Sequence, residues 1–170
     1  GDAGGALGAA LAACHMFKGP PRTANVELDG MAGAYLGPSY AQGDIEHRLA
    51  AAGARFETVD QPTMIRRTAQ DLADGLAIGW FQGRMEFGPR ALGARSILGD
   101  PRSPTMQKTL NLRVKYRESF RPFAPSVLGE HVSNWFEIDR ESPYMLLVAD
   151  VAEEKRRAMT EAEQALFGID

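Results

Sequence analysis

Between Phe81 and Arg121 nine cations and three acids are interleaved with glycine and proline, and this is the part of the sequence equipped for chemistry. The cations are Arg84, Arg90, Arg95, Arg102, Lys108, Arg113, Lys115, Arg117 and Arg121; the acids are Glu86, Asp100 and Glu118. The window therefore carries +6 in a chain of net charge −3, and everything outside it sums to −9. Gly-rich turns fix backbone N–H groups and hold arginines at set angles, which suits a polyanion such as the phosphate chain of a nucleotide. From charge alone the window reads equally well as a solvated basic face. Arg84, Arg90, Arg95, Lys115, Arg117 and Arg121 form the candidate clamp. Such a set acts by orienting phosphates and neutralising charge that grows on a transferred or leaving group. Asn111 and Ser126 would add neutral hydrogen bonds, and Glu86 or Glu118 is expected to hold an arginine in position. Part of the arginine set is expected to be structural, and Trp80, Phe81, Phe87 and Phe120 read as core rather than as base-stacking surfaces.

Other chemistries find little support. No Ser or Cys sits in a nucleophile elbow, and neither a Walker P-loop nor a dinucleotide fingerprint is present. His15, His47 and His131 are scattered, without the spacing of a metal site. The single cysteine, Cys14, reads as a buried small residue in an Ala-rich helix and has no partner for an internal disulfide, so a reducing cytoplasm is the expected compartment.

The elements that must position the window follow from periodicity and punctuation. A helix is expected over Ala6 to Phe17, ending before Gly19-Pro20-Pro21, followed by a linker to Gly33. Residues 34–38 read as a short strand, Gly43 to Ala52 as a helix, and Ala54 to Val59 as an alternating strand. Pro62 opens a helix that runs to Asp74 and stops at Gly75. Leu76 to Phe81 is a buried strand, Gln82 to Gly93 a loop, and Arg95 to Leu98 a strand closed by Gly99-Asp100-Pro101. Ser103-Pro104 starts a helix with Met106, Leu110 and Val114 as its apolar stripe and Lys108, Asn111 and Lys115 on another face. Phe120 to Leu128 is extended and proline-broken. Helix is expected for Glu130 to Phe136, strand for Tyr144 to Val151, and helix again for Thr160 to Phe167. The order gives a mixed α/β fold.

At 170 residues, with 44% hydrophobic and 24% charged residues, the chain can bury a core, as one domain with a piece of another. No apolar run approaches the roughly 20 residues of a membrane span. The negative net charge weighs against general nucleic-acid binding. The opening glycine-rich phrase, without Met, and the ending at Phe167-Gly168-Ile169-Asp170 are read as the edges of a piece of a longer protein.

Two long phrases carry a resemblance. EFGPRALGARSILGDPR, Glu86 to Arg102, and LNLRVKYRESFRPFAPSV, Leu110 to Val127, resemble the carbamoyltransferase family of nodulation and antibiotic-tailoring enzymes. The opening GDAGGALGAAL is similar to the closing helix of that family's actin-like N-terminal domain. The resemblance implies three parts: residues 1–18 as the last helix of the actin-like domain, 19–33 as a linker, and 34–170 as a YrdC-like C-terminal domain with a twisted mixed sheet and flanking helices. It also implies a further stretch beyond Asp170.

The same resemblance implies two steps. The YrdC-like domain makes carbamoyl-adenylate from carbamoyl phosphate and ATP, with Mg and release of pyrophosphate. The actin-like domain, which holds a metal ion, passes the carbamoyl group to a hydroxyl of a sugar or antibiotic. Arg90, Lys115 and Arg121 are the first candidates for phosphate and carbamoyl contacts; Arg84, Arg95, Ser96, Arg117 and Ser126 come second. No metal ligands are expected within this stretch, and on its own it is expected to be inactive. Two other readings remain: a nucleotide or double-stranded RNA binding module without catalysis, and a docking domain for a partner.

Overall fold

Asp60 opens the clearest element of the chain. Its carboxylate accepts a hydrogen bond from the backbone N–H of Thr63 at 2.9 Å, and Pro62 follows at the start of α3, Gln61–Ala73. The cap satisfies a donor that the first helical turn leaves without a partner. Gly75, with φ +83°, ends the helix in the left-handed region that glycine adopts without strain. Among the described residues two α-helices precede it: α1, Gly5–Ala13, which continues as a π-helical turn over Cys14–Lys18, and α2, Gln42–Ala51.

The computed structural model describes residues 4–19, 21 and 29–166. The expected linker residues 22–28 and the end of the last expected helix at Phe167 lie outside them. The chain divides into two units, Gly1–Pro125 with Pro143–Met145, and Ser126–Ser142 with Leu146–Asp170.

In the first unit, β1, Ile78–Phe81, pairs antiparallel with β2, Arg95–Leu98, in the register Ile78↔Leu98, Gly79↔Ile97, Trp80↔Ser96 and Phe81↔Arg95. One further bond, Gln82 N–H to the Ala94 carbonyl at 2.8 Å, carries the ladder to the base of the connecting loop. After β2 comes α4, Met106–Thr109, which widens into a π-helical turn over Leu110–Lys115. In the second unit a 3-10 turn at Gly129–His131 leads into α5, Val132–Trp135. There a single bridge joins Phe136 to Val151, and α6, Glu161–Leu166, follows.

The mixed α/β composition is as the sequence indicates, with an antiparallel pair as the one sheet among the described residues. Three expected strands are absent. Residues 34–38 follow a 3-10 turn, Ala32–Ala34, in which Ala32, Gly33 and Ala34 all have positive φ. Residues 54–59 have no ladder partner, and 144–151 contributes only the bridge at Val151. Alternation describes a surface that fits a sheet, but a strand exists only where a neighbour supplies its hydrogen bonds.

Among the described residues the buried apolar side chains are Ala34, Ala94, Met106, Leu110 and Ala152, fewer than the length allows. A two-stranded sheet and short helices cover little surface. Phe81, Phe87 and Phe120 are accordingly exposed rather than core, and Trp80 is half-buried. Cys14, at the start of the π-helical turn that follows α1, is exposed as well.

Candidate functional site

The loop from β1 to β2 is built around Glu86, which is 4% exposed. Its Oε1 accepts the backbone N–H groups of Leu92 at 2.6 Å and Ala94 at 2.8 Å, and its Oε2 accepts Arg95 Nε–H at 3.1 Å. A terminal guanidinium nitrogen of Arg95 donates to the Gly88 carbonyl and, at 3.4 Å, to that of Arg90. Burial pushes the Glu86 carboxyl up, but the backbone N–H groups of Leu92, Ala94 and Glu86 itself, with Arg95, outweigh it and hold the group below its ordinary value of 4.5. Residues 34–38 brace the loop from outside: Phe87 N–H donates to the Ala34 carbonyl, Gly37 N–H to that of Met85, and Met85 N–H to that of Pro38. Tyr35 adds its hydroxyl, donated to the Leu92 carbonyl at 2.8 Å.

A second centre lies at Asn111, which is 0% exposed. Its Nδ2 donates to the carbonyls of Ser119 at 3.1 Å and Arg121 at 2.8 Å, and its Oδ1 accepts Arg117 Nε–H at 2.6 Å. Gln107, one turn earlier, donates to the carbonyls of Phe120 and Arg121 at 2.9 and 3.1 Å. The Arg117 guanidinium also lies over the Phe123 ring, 4.9 Å from its centroid, a cation–π contact. The backbone reverses at Tyr116, whose φ of 50° is left-handed.

The widened turn changes which side chains share a face. The N–H of Tyr116 donates to the Asn111 carbonyl, five residues back. Lys108, Asn111 and Lys115 therefore do not form one surface: the two lysines are exposed while Asn111 is buried beside Leu110 in sequence. Val114 likewise leaves the buried stripe of Met106 and Leu110 and is exposed.

The candidate cations fall into distinct states. Arg95 is locked by the buried Glu86, and Arg117 by Asn111 and Phe123. Arg121 pairs with Glu118 at 3.2 Å, both side chains being about half exposed, at 55% and 54%. The Glu118 carboxyl sits below its ordinary value, first through its own backbone N–H and then through Arg121. Arg102 chelates Asp100, with Nε and a terminal nitrogen both donating. Arg84 and Lys115 are exposed and enter none of the ion pairs among the described residues; Arg90 is exposed, with its carbonyl turned to Arg95. Ser96 is half-buried on β2 opposite Trp80. Ser126 is exposed and belongs to the second unit.

The roles expected of Glu86 and Glu118 as arginine holders are thus found in the structure. Gln107 and Tyr35 escaped the sequence reading. Gln107 was findable, since it lies four residues before Asn111 on the same helical strip; nothing in the sequence marks Tyr35. Among the described residues no group of three or more His, Cys, Asp or Glu could hold a metal ion, and no helix is long and apolar enough to cross a membrane.

The first unit is therefore a small mixed α/β scaffold whose two polar centres fix arginine-bearing loops. Residues 69–164 match the family described as Carbamoyltransferase C-terminus, and the chain belongs to that family. It is 54% identical over its whole length to an uncharacterized protein of Synechocystis, of which it covers 28%. It is 44% identical to the nodulation protein NolNO of Sinorhizobium fredii, over 93% of this chain and 23% of that one. It is 36% identical to the 3'-hydroxymethylcephem-O-carbamoyltransferase of Streptomyces clavuligerus, over 95% of this chain and 28% of that one. The chain thus spans about a quarter of the length of these relatives.

Proposed function

We propose that the chain is the substrate-activating part of an ATP-dependent O-carbamoyltransferase, with the YrdC-like fold that this role implies. It would form carbamoyl-adenylate, which an actin-like domain of the same protein transfers to a hydroxyl of a sugar or antibiotic-like acceptor. For the atoms to balance, carbamoyl phosphate gives up its phosphate with uptake of a water oxygen. A carbamate oxygen then attacks the α-phosphorus of ATP and pyrophosphate leaves, its charge balanced by magnesium that arrives with the nucleotide.

The observation that carries this reading is the coincidence of the family match over residues 69–164 with the +6 window. A relative named as an O-carbamoyltransferase supports the reaction class. The chemistry of the cations agrees. Two polyanions must be brought together against their repulsion, which requires positive groups free to face them. Lys115 and Arg84 are exposed, and Arg121 holds only a surface carboxylate. Such exposed pairs are weak, so a phosphate can take the place of Glu118. Arg95 and Arg117 support the loops instead, Arg90 is exposed within the Glu86 loop, and Ser96 and Ser126 remain candidate hydrogen-bond donors. The compartment that fits is the cytoplasm, where both phosphate substrates are made.

The test is carbamoyl phosphate-dependent pyrophosphate release by the full-length protein and its Arg90→Ala, Lys115→Ala and Arg121→Ala variants. Loss of a preorganised charge donor lowers turnover by roughly 10²–10³-fold. Near-normal rates in all three variants defeat the residue assignment. Stabilisation of the protein by RNA and not by ATP replaces the reading with that of a binding module.

A further inference from the structure

The 116–121 segment carries Arg121, a candidate phosphate ligand, beside Arg117, which Asn111 and Phe123 hold, yet it contains no regular structure of its own. An arginine in such a loop clamps an anion well only if its backbone is already fixed, because ordering it on binding costs conformational entropy. The fixing groups here are neutral amides. Asn111 uses both donors of its Nδ2 on the carbonyls of Ser119 and Arg121, and its Oδ1 on Arg117. Its backbone carbonyl also accepts the N–H of Arg117 at 3.0 Å. Gln107 adds donors to Phe120 and, again, to Arg121. The Arg121 carbonyl is thus held from two side chains, while the Arg121 guanidinium has only an exposed carboxylate beside it.

We propose that Asn111 and Gln107 are positioning residues that preset the 117–121 loop for a phosphate-bearing ligand, and that Asn111 acts through this loop rather than by touching substrate. The proposal rests on the reading of this surface as the carbamoyl phosphate and ATP site. Asn111 is fully buried and both of its amide donors are occupied, so its polar character answers to the loop. Gln107 is exposed, so its side chain can be exchanged without opening a cavity.

The test compares Gln107→Leu, which keeps the shape and removes the donors, with Gln107→Lys, which restores donors to the same carbonyls. Asn111→Asp keeps the acceptor for Arg117 and removes the donors to Ser119 and Arg121. In the full-length protein two quantities are read: amide hydrogen exchange across 116–121, and KM against kcat for carbamoyl phosphate in pyrophosphate release. Gln107→Leu and Asn111→Asp should raise exchange there and raise KM by about tenfold, the effect of one lost hydrogen bond. Gln107→Lys should return both toward wild type. A folded Gln107→Leu protein with wild-type exchange and wild-type KM overturns the positioning role. Wild-type protein that releases no pyrophosphate overturns the function reading instead; the positioning role then stands or falls on whether Gln107→Leu loosens 116–121 and Gln107→Lys tightens it again.

Discussion

Arg95 Nε and Glu86 Oε2 stand 3.1 Å apart, with the Glu86 side chain wholly buried and that of Arg95 30% exposed. The pair closes the loop between β1 and β2, because the other carboxylate oxygen holds Leu92 and Ala94 at the same time. Glu86→Gln keeps the shape but offers an amide where Arg95 needs an acceptor. The expected cost is about 2 kcal/mol, a loss of roughly 4–8 °C in Tm for a chain of this size. The pH dependence has a definite sign. The folded-state carboxyl lies below 4.5, so its contribution is present above that value and is lost as pH falls through the folded-state pKa. Thermal unfolding from pH 7 to pH 3 should show wild type and Glu86→Gln converging at the acid end.

Gly37 gives a steric prediction. A Cβ there would meet the Met85 carbonyl oxygen at 2.9 Å and that of Glu86 at 3.3 Å, both main-chain atoms that cannot swing aside. Gly37→Ala should cost about 1–3 kcal/mol in urea unfolding. It should also speed exchange of the Gly37 and Met85 amides, which bond across this contact. Unchanged exchange would mean that 34–38 does not brace the Glu86 loop.

Asp60 predicts a helix effect. Its carboxyl lies below its ordinary value of 3.8, chiefly through hydrogen bonding to the Thr63 side chain and then to the Thr63 backbone N–H. Asp60→Ala should shorten α3 and reduce the helical circular dichroism signal at neutral pH, whereas Asp60→Asn should retain it. Acidification below 3.8 should erase the wild-type advantage, because a depressed carboxyl loses its contribution as pH falls through its folded-state pKa.

Arg117→Lys is not a conservative change here. Lysine has no Nε–H at the angle that reaches Asn111 Oδ1, and its ammonium stacks less well on Phe123. A fall in the urea midpoint at unchanged slope, equivalent to about 1–2 kcal/mol, is expected. A midpoint equal to wild type would show that the contact with Asn111 carries no stability.

What the sequence makes legible is local. Proline at 62 and glycine at 75 mark the ends of α3, and the apolar run at Leu76 to Phe81 with RSIL before Gly99-Asp100 marks the two strands. The acids of the basic window could be read as arginine holders because opposite charges close in sequence must find each other, and Glu86 and Glu118 do. Asn111 was not legible in this way. An amide side chain offers the same donors to a ligand and to a loop, and only burial distinguishes them. The missing strands at 54–59 and 144–151 fail for a related reason, since alternation specifies a face and not the neighbour that completes it.

The widened turn at Leu110–Lys115 acts as a phase shift in the helix. Side chains before it and after it answer to different angular frames, so residues on one strip of an ideal α-helix point apart here. Removing one residue from this turn could leave a continuous helix with composition and charge nearly intact. The bond from Tyr116 to Asn111 would give way to α-helical bonding four residues back, and the backbone reversal that brings Arg117 to Asn111 Oδ1 would lose its anchor. The length of this turn, counted to the single residue, is therefore as much a determinant of the basic surface as the lysines and arginines that populate it.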